Sequence, residues 1–317
     1  MLAARRLTMK QKVLVAVGDC VYSQHAVRYI AKLSVAATNL TYTLFNVQPG
    51  VPELLGEAAK SDGKAKAEIA ELVRANREAG GGIIQDFKEL MIQQGILESR
   101  IETVSEPMQV GAAKDILNWA EKHGHDAIVI ARREMTPSWD FSIGAVPAKV
   151  VDYGLEIPIW VVAGESTATK IMVTVDGSEN SIRAVDHLIH MVGANADIHI
   201  NLFHVIPYLR HYYSVDVERS KSYLQLVMHR EDQRRMDGFY EKAYERFKKA
   251  GLRSSQLNTI TCRRSSDIST AIYGEAKAGQ YGTVIIGRRG ERGAFFSGQI
   301  ARRLAHTLED QALCIVP

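Results

Sequence analysis

The chain has 317 residues, of which 46% are hydrophobic and 24% charged, with a formal net charge of +3. That usage excludes a disordered chain, the length suits two domains of roughly 150 residues, and so small a charge gives no electrostatic case for nucleic acid. No apolar run approaches the ~20 residues that span a bilayer, and residues 1–10 hold two arginines but no apolar signal core, so a cytoplasmic protein that engages no membrane is expected.

Residues 12–17 (K-V-L-V-A-V) form the first apolar run of strand length, followed by small and polar residues and a helical pattern through Ser23, Ala26 and Val27. Residues 44–47 (L-F-N-V), with Pro49 beyond them, predict a second strand. After a long polar stretch, residues 128–133 (I-V-I-A-R-R) predict another, Gly144 lies beyond its turn, and residues 159–162 (I-W-V-V) close the half. Residues 163–169 (A-G-E-S-T-A-T), small and polar between two strands, read as a linker, which places domains at 1–163 and 170–317.

The order then begins again. Residues 170–175 (K-I-M-V-T-V) match 12–17 at an offset of 158, and at that offset Ser181, Ala184, Val185 and Pro207 match Ser23, Ala26, Val27 and Pro49, while 202–205 (L-F-H-V) match 44–47. Residues 284–289 (V-I-I-G-R-R) match 128–133 at 156, and Gly298 and residues 313–316 (L-C-I-V) match Gly144 and 159–162 at 154. The length changes fall in loops, as duplicated domains tolerate. Each half reads strand, helix, strand, long polar helix, strand, helix, strand, turn, helix, strand. Near-continuous Val/Ile/Leu strands alternating with helices predict a parallel sheet covered on both faces, hence two tandem doubly wound α/β domains.

In the second half, 208–216 read as a loop leading into one long helix at 219–249, which lacks Pro, contains Gly238 and stops at Gly251. Its Tyr223, Leu226, Phe239, Tyr240, Tyr244 and Phe247 divide between covering the sheet and docking a second chain as a homodimer. The closing strands, 158–163 and 312–317, would otherwise be exposed edges and are expected to meet. Cys20, Cys262 and Cys314, odd in number and far apart, read as buried free thiols, neither a disulfide framework nor a zinc site.

In an open parallel sheet, ligands bind beyond the carboxyl ends of the strands. In the second half those ends carry Asp176-Gly177-Ser178, Val205 and residues 287–293 (G-R-R-G-E-R-G), and Ser297-Gly298-Gln299 opens the next helix. Glycines ahead of a helix let a phosphate approach backbone N–H groups and the positive end of the helix dipole. Val175-Asp176-Gly177-Ser178 together with Gly287-x-x-Gly290 and Gly298 resembles the universal stress protein family, whose nucleotide-binding members carry G-x2-G-x9-G-[ST] after the fourth strand and an Asp ending the first.

The resemblance spans both halves. It implies an adenine-nucleotide-hydrolase-like, Rossmann-like fold, the halves packed as a pseudo-dimer, and an adenine nucleotide, ATP with or without Mg, in the second half. It further implies that Asp176 and Val205 flank the adenine, Val175 and Ile286 wall it, Gly287 and Arg289 lie along the ribose and first phosphates, and Gly290, Gly298, Gln299 and Ile300 offer backbone donors to the phosphate chain. Two departures stand out: seven residues separate Gly290 from Gly298 where the family has nine, and Gln299 replaces the hydroxyl residue, though its amide can donate to phosphate. The first half departs further. Gly18 replaces the Asp, Ala131 and Glu134 replace the two glycines, Ala145 follows Gly144, and Asp19 offers a carboxylate one position late. Glu134 sets a like charge where phosphates would sit, so this half reads as a nucleotide-free structural partner.

Simpler readings compete. Asp176-Gly177-Ser178 also fits a plain capped turn, and Arg288, Arg289, Arg292, Arg302 and Arg303 fit either a phosphate funnel or a solvated surface, with Arg289 the one assigned to ligand. His187, His190, His199, His204 and His211 lack a metal-binding motif and read as surface or core residues. The Walker and G-x-G-x-x-G patterns and the G-x-S-x-G elbow are missing. The leading expectation is a stress-response or regulatory module that binds ATP with little or no catalysis, at most slow hydrolysis. The alternatives are a nucleotide-free interaction scaffold and an enzyme that activates a substrate with the nucleotide, for which no general base is visible.

Overall fold

The structure, a computed structural model, describes residues 10–132, 145–154, 156–166, 169–208, 222–263, 267–288 and 299–317. The first half runs β1 (Gln11–Ala16), α1 (Val21–Ser34), β2 (Leu40–Gln48), α2 (Glu53–Ala58), α3 (Gly63–Gln93), β3 (Ile101–Pro107), α4 (Ala112–Lys122), β4 (Ala127–Arg132), α5 (Ala145–Tyr153) and β5 (Ile159–Ala163). The second runs β6 (Lys170–Val175), α6 (Glu179–Val192), β7 (His199–Val205), α7 (Ser222–Lys249), β8 (Leu257–Cys262), α8 (Ile268–Ala278), β9 (Thr283–Gly287), α9 (Gln299–Thr307) and β10 (Ala312–Val316). The short α2 and two single 3-10 turns, Glu98–Arg100 and Ser254–Gln256, were not anticipated among the described residues. The long helix begins at Ser222 among the described residues, because 219–221 and most of the loop ahead of it lie outside them. It ends as predicted, with Gly251 in the left-handed region at φ +86°.

All ten strands join one sheet, in the order β3-β2-β1-β4-β5-β10-β9-β6-β7-β8, which reads the same from either edge. Every neighbouring pair is parallel except the central one, where β5 meets β10 antiparallel through Ile159–Ile315, Trp160–Cys314 and Val161–Leu313. The edge strands thus find each other, as their exposed hydrogen-bonding groups require. Helices α1, α3, α6 and α7 cover one face and α4, α5, α8 and α9 the other, and each apolar core runs through both halves. On α7, Phe239 and Phe247 are buried and Tyr240 and Tyr244 pack beside them, while Tyr223 and Leu226 are exposed. Among the described residues no helix is long and apolar enough to cross a membrane. None of the three cysteines is in a disulfide, but only Cys314 is buried. Cys20, at the N-cap of α1, and Cys262, at the end of β8, are half-exposed, so the expectation of three buried thiols is corrected.

Polar groups stitch the midline. Arg132, buried at the end of β4, donates from Nη1 to the carbonyls of Ala305 (2.8 Å) and Leu308 and from Nη2 to His306 (3.4 Å), at the C-terminus of α9. Its repeat-mate Arg288, after β9, donates from Nη2 to the carbonyls of Val151 (3.0 Å) and Gly154 (2.8 Å), at the C-terminus of α5. The Tyr29 and Thr283 hydroxyls lie 2.6 Å apart, and the Trp160 indole N–H donates to His187 Nε2 at 2.9 Å. Gly193, at φ +57°, fits where a Cβ would come within 2.8 Å of the Ala36 carbonyl oxygen.

Replacing Arg132 or Arg288 by Met removes charge-assisted bonds to buried carbonyls, and each should lower stability by about 3 kcal/mol. The urea midpoint of the full chain measures this, with exposed Arg303→Met as a control that stays within about 0.5 kcal/mol. Burial, with a smaller contribution from His190, pulls the His187 pKa from 6.5 to about 3, so the folded state keeps this ring neutral while the unfolded chain takes up a proton. Stability should therefore be lost as pH falls from 6.5 toward about 3. Buried His125 is shifted in the same direction. His187→Gln keeps an acceptor for the indole and should flatten, though not abolish, that acid limb in unfolding measured against pH.

Candidate functional site

Beyond the carboxyl ends of β6, β7 and β9 lies a cleft of about 140 Å³, bounded by α7, α8 and the start of α9. Val175, Asp176, Val205, Ile286, Gly287 and Ile300, all named from sequence, line it together. Gln299 opens α9 but is exposed and does not line the cleft. Arg289, Gly290 and Gly298 lie outside the described residues, as do Glu134 and Gly144 of the first half.

The loop after β6 shows why Asp, Gly and Ser occur there in that order. Asp176 Oδ1 accepts from the Ser178 N–H (3.0 Å) and the Ser181 hydroxyl (2.7 Å), and the Ser178 hydroxyl accepts from the Ser181 N–H, capping α6. The capped-turn reading of this segment therefore holds alongside its place in the cleft. Gly177, at φ +77°, leaves room for Arg235, whose Cγ lies 2.7 Å from where a Cβ would be. Gly287 likewise brings β9 against α6, since an added Cβ would stand 3.3 Å from that of Asn180.

Three side chains on the cleft were not recognised as a unit. His204 is buried, with Nδ1 2.9 Å from the Val175 carbonyl oxygen and Nε2 2.9 Å from Asp232 Oδ2. A carbonyl only accepts, so Nδ1 donates to it, and Nε2 faces the carboxylate. Arg235 Nη2 donates to Asp232 Oδ1 at 3.2 Å. His204 was visible only as the repeat-mate of Asn46, whose Nδ2 donates to the Val17 carbonyl at 3.0 Å in the matching place. Asp232 and Arg235, three apart on a charged helix, look in sequence like any solvated pair.

Of the arginines read as either a funnel or a surface, the described ones all have protein partners, and Arg288 also lines the cleft. Arg288 clamps α5, Arg302 pairs with Asp152 of the first half at 2.7 Å, and Arg303 pairs with Asp267 at 3.4 Å; Arg292, like Arg289, lies outside the described residues. Of the other histidines, His187 is core, His190 bonds the Asp186 carbonyl of its own helix, His199 is exposed and His211 lies outside the described residues. Among the described residues no three His, Cys, Asp or Glu side chains gather to hold a metal.

The model of the universal stress protein family matches the chain twice, over residues 9–163 and 167–310. A solved universal stress protein from Archaeoglobus fulgidus is similar over 97% of this chain and 98% of its own, at 14% identity and a TM-score of 0.60. A protein of unknown function from Pseudomonas aeruginosa PAO1 is similar over 98% and 94%, at 13% identity and a TM-score of 0.54. At such identities the likeness is one of fold. No curated protein matches the chain significantly.

Asp232→Ala would leave His204 buried without its carboxylate, and should cost about 3–5 kcal/mol in chemical unfolding. Glu231→Ala, one residue away and exposed, should change stability by less than about 0.5 kcal/mol.

Proposed function

The chain belongs to the universal stress protein family, and from that premise we propose that its second half binds an adenine nucleotide, with ATP the first candidate, as a stress-response or regulatory module with little or no catalysis. The supporting observation is the convergence of Val175, Asp176, Val205, Ile286, Gly287 and Ile300 on one cleft at the carboxyl ends of the strands. That cleft suits a flat base between apolar walls, with Asp176 and Val205 at its edges. The ribose and phosphates then run along Gly287 and Arg289 toward the backbone of Gly290, Gly298, Gln299 and Ile300, with or without Mg on the phosphates. The first half serves as the structural partner in an intrachain pseudo-dimer, and the protein acts in the cytoplasm.

A second reading, a nucleotide-free scaffold, draws on the seven-residue spacing between Gly290 and Gly298 and on the exposed Tyr223 and Leu226 of α7, which suit a homodimer contact. Calorimetric titration of the full chain with ATP separates the two. One equivalent should bind, Gly290→Glu should abolish binding by setting a carboxylate against phosphate, and Glu134→Gly should create no second site, because Gly18 still lacks the carboxylate. No heat, from protein that carries no adenine absorbance, decides for the scaffold. Two equivalents would give the first half a nucleotide of its own.

A further inference from the structure

The first half keeps a cleft at the matching place in its sheet, with the reverse chemistry. It measures about 390 Å³ and lies beyond β1, β2 and β4 against α4 and α5, with Phe45, Val47, Ile116, Ile130 and Val146 among its walls. Among the described residues that line it there is no Asp, Glu, Lys, Arg or His, whereas the second-half cleft is lined by Asp176, His204, Asp232, Arg235 and Arg288.

Two exchanges at matched positions contribute to the difference. Gly18 stands where the second half has Asp176, and the direction its Cβ would take meets nothing within 4 Å, so the space a carboxylate fills in one half is open in the other. Asn46 stands where the second half has His204. Its Nδ2 donates to the Val17 carbonyl and its Oδ1 accepts from the Ser105 hydroxyl at 3.2 Å, so it draws no charged partner from the long helix. The Gly18 N–H is held by the Ser23 hydroxyl at 3.0 Å. Each of these polar groups already has a protein partner, and much of the wall between them is carbon. A phosphate entering here would lose its hydration and meet no cation among the described residues, whereas apolar surface would gain by leaving water. Phe45, backed by Trp119 at 5.1 Å between ring centroids, presents an aromatic surface held from behind.

We infer that the first-half cleft binds an uncharged, mainly apolar small molecule, whether or not the second half holds nucleotide. The probe is Nile red, a neutral dye that brightens in apolar surroundings, titrated into the full chain. One saturable equivalent should bind, and millimolar ATP should leave the signal unchanged. Gly18→Leu extends into the open volume and Val47→Asp sets a charge in the wall, so each should weaken binding at least about tenfold. Leu54→Ser and Leu226→Ser, on exposed apolar surface elsewhere, should not alter it. Circular dichroism melting shows which variants keep the fold, and either cleft variant suffices alone. Non-saturable uptake, unchanged affinity in a folded cleft variant, or displacement by ATP each overturns the assignment; displacement would place the dye in the nucleotide cleft, while the calorimetry tests nucleotide binding independently.

Discussion

Two buried arginines, Arg132 and Arg288, each reach across the midline to cap the last helix of the other half, and the rest of the architecture depends on that exchange. A helix C-terminus exposes unbonded carbonyls and the negative end of its dipole, and a guanidinium supplies several donors with the matching charge. The reciprocity is close: the carbonyls taken by Arg288 belong to Val151 and Gly154, and those taken by Arg132 include the repeat-mates of these residues, Ala305 and Leu308. Together with the antiparallel β5–β10 pair, the clamps leave neither half with a finished sheet edge or a finished last helix of its own.

The same exchange explains what sequence could and could not disclose. Strand and helix order was legible because apolar runs recur at near-constant offset, and a parallel sheet buried on both faces leaves few other patterns for its strands. The paired arginines after the fourth strand of each half were visible too, but sequence cannot tell an arginine that faces a ligand from one that faces a carbonyl some 140 residues earlier. Arg288 bonds such carbonyls while also lining the cleft. The residues near a resemblance motif were found, whereas Asp232 and Arg235 were not, because Asp232 takes its place from His204, 28 residues away on another element, and Arg235 from Asp232.

Duplication has let one location in the sheet diverge while its supports stay constant. Ser23 and Ser181 hold the N–H at the end of the first strand of their half in the same way, and Asn46 and His204 bond the same carbonyl. What changed is the charge carried on that scaffold. An imidazole at His204 holds Asp232, which in turn takes Arg235, while the amide at 46 recruits nothing ionic among the described residues. Polarity in this fold is thus set by a few first contacts, whose demands for partners spread to the neighbouring helix.

The antiparallel seam also orders events during translation. β5 ends at Ala163, and the strand that covers it, β10, begins only at Ala312. At roughly 5–20 residues per second a ribosome needs on the order of ten to thirty seconds to make the intervening chain. Throughout that interval the nascent first half carries an open strand edge beside Trp160 and an uncapped α5, a surface for chaperones to shield until its own C-terminal strand emerges to close it.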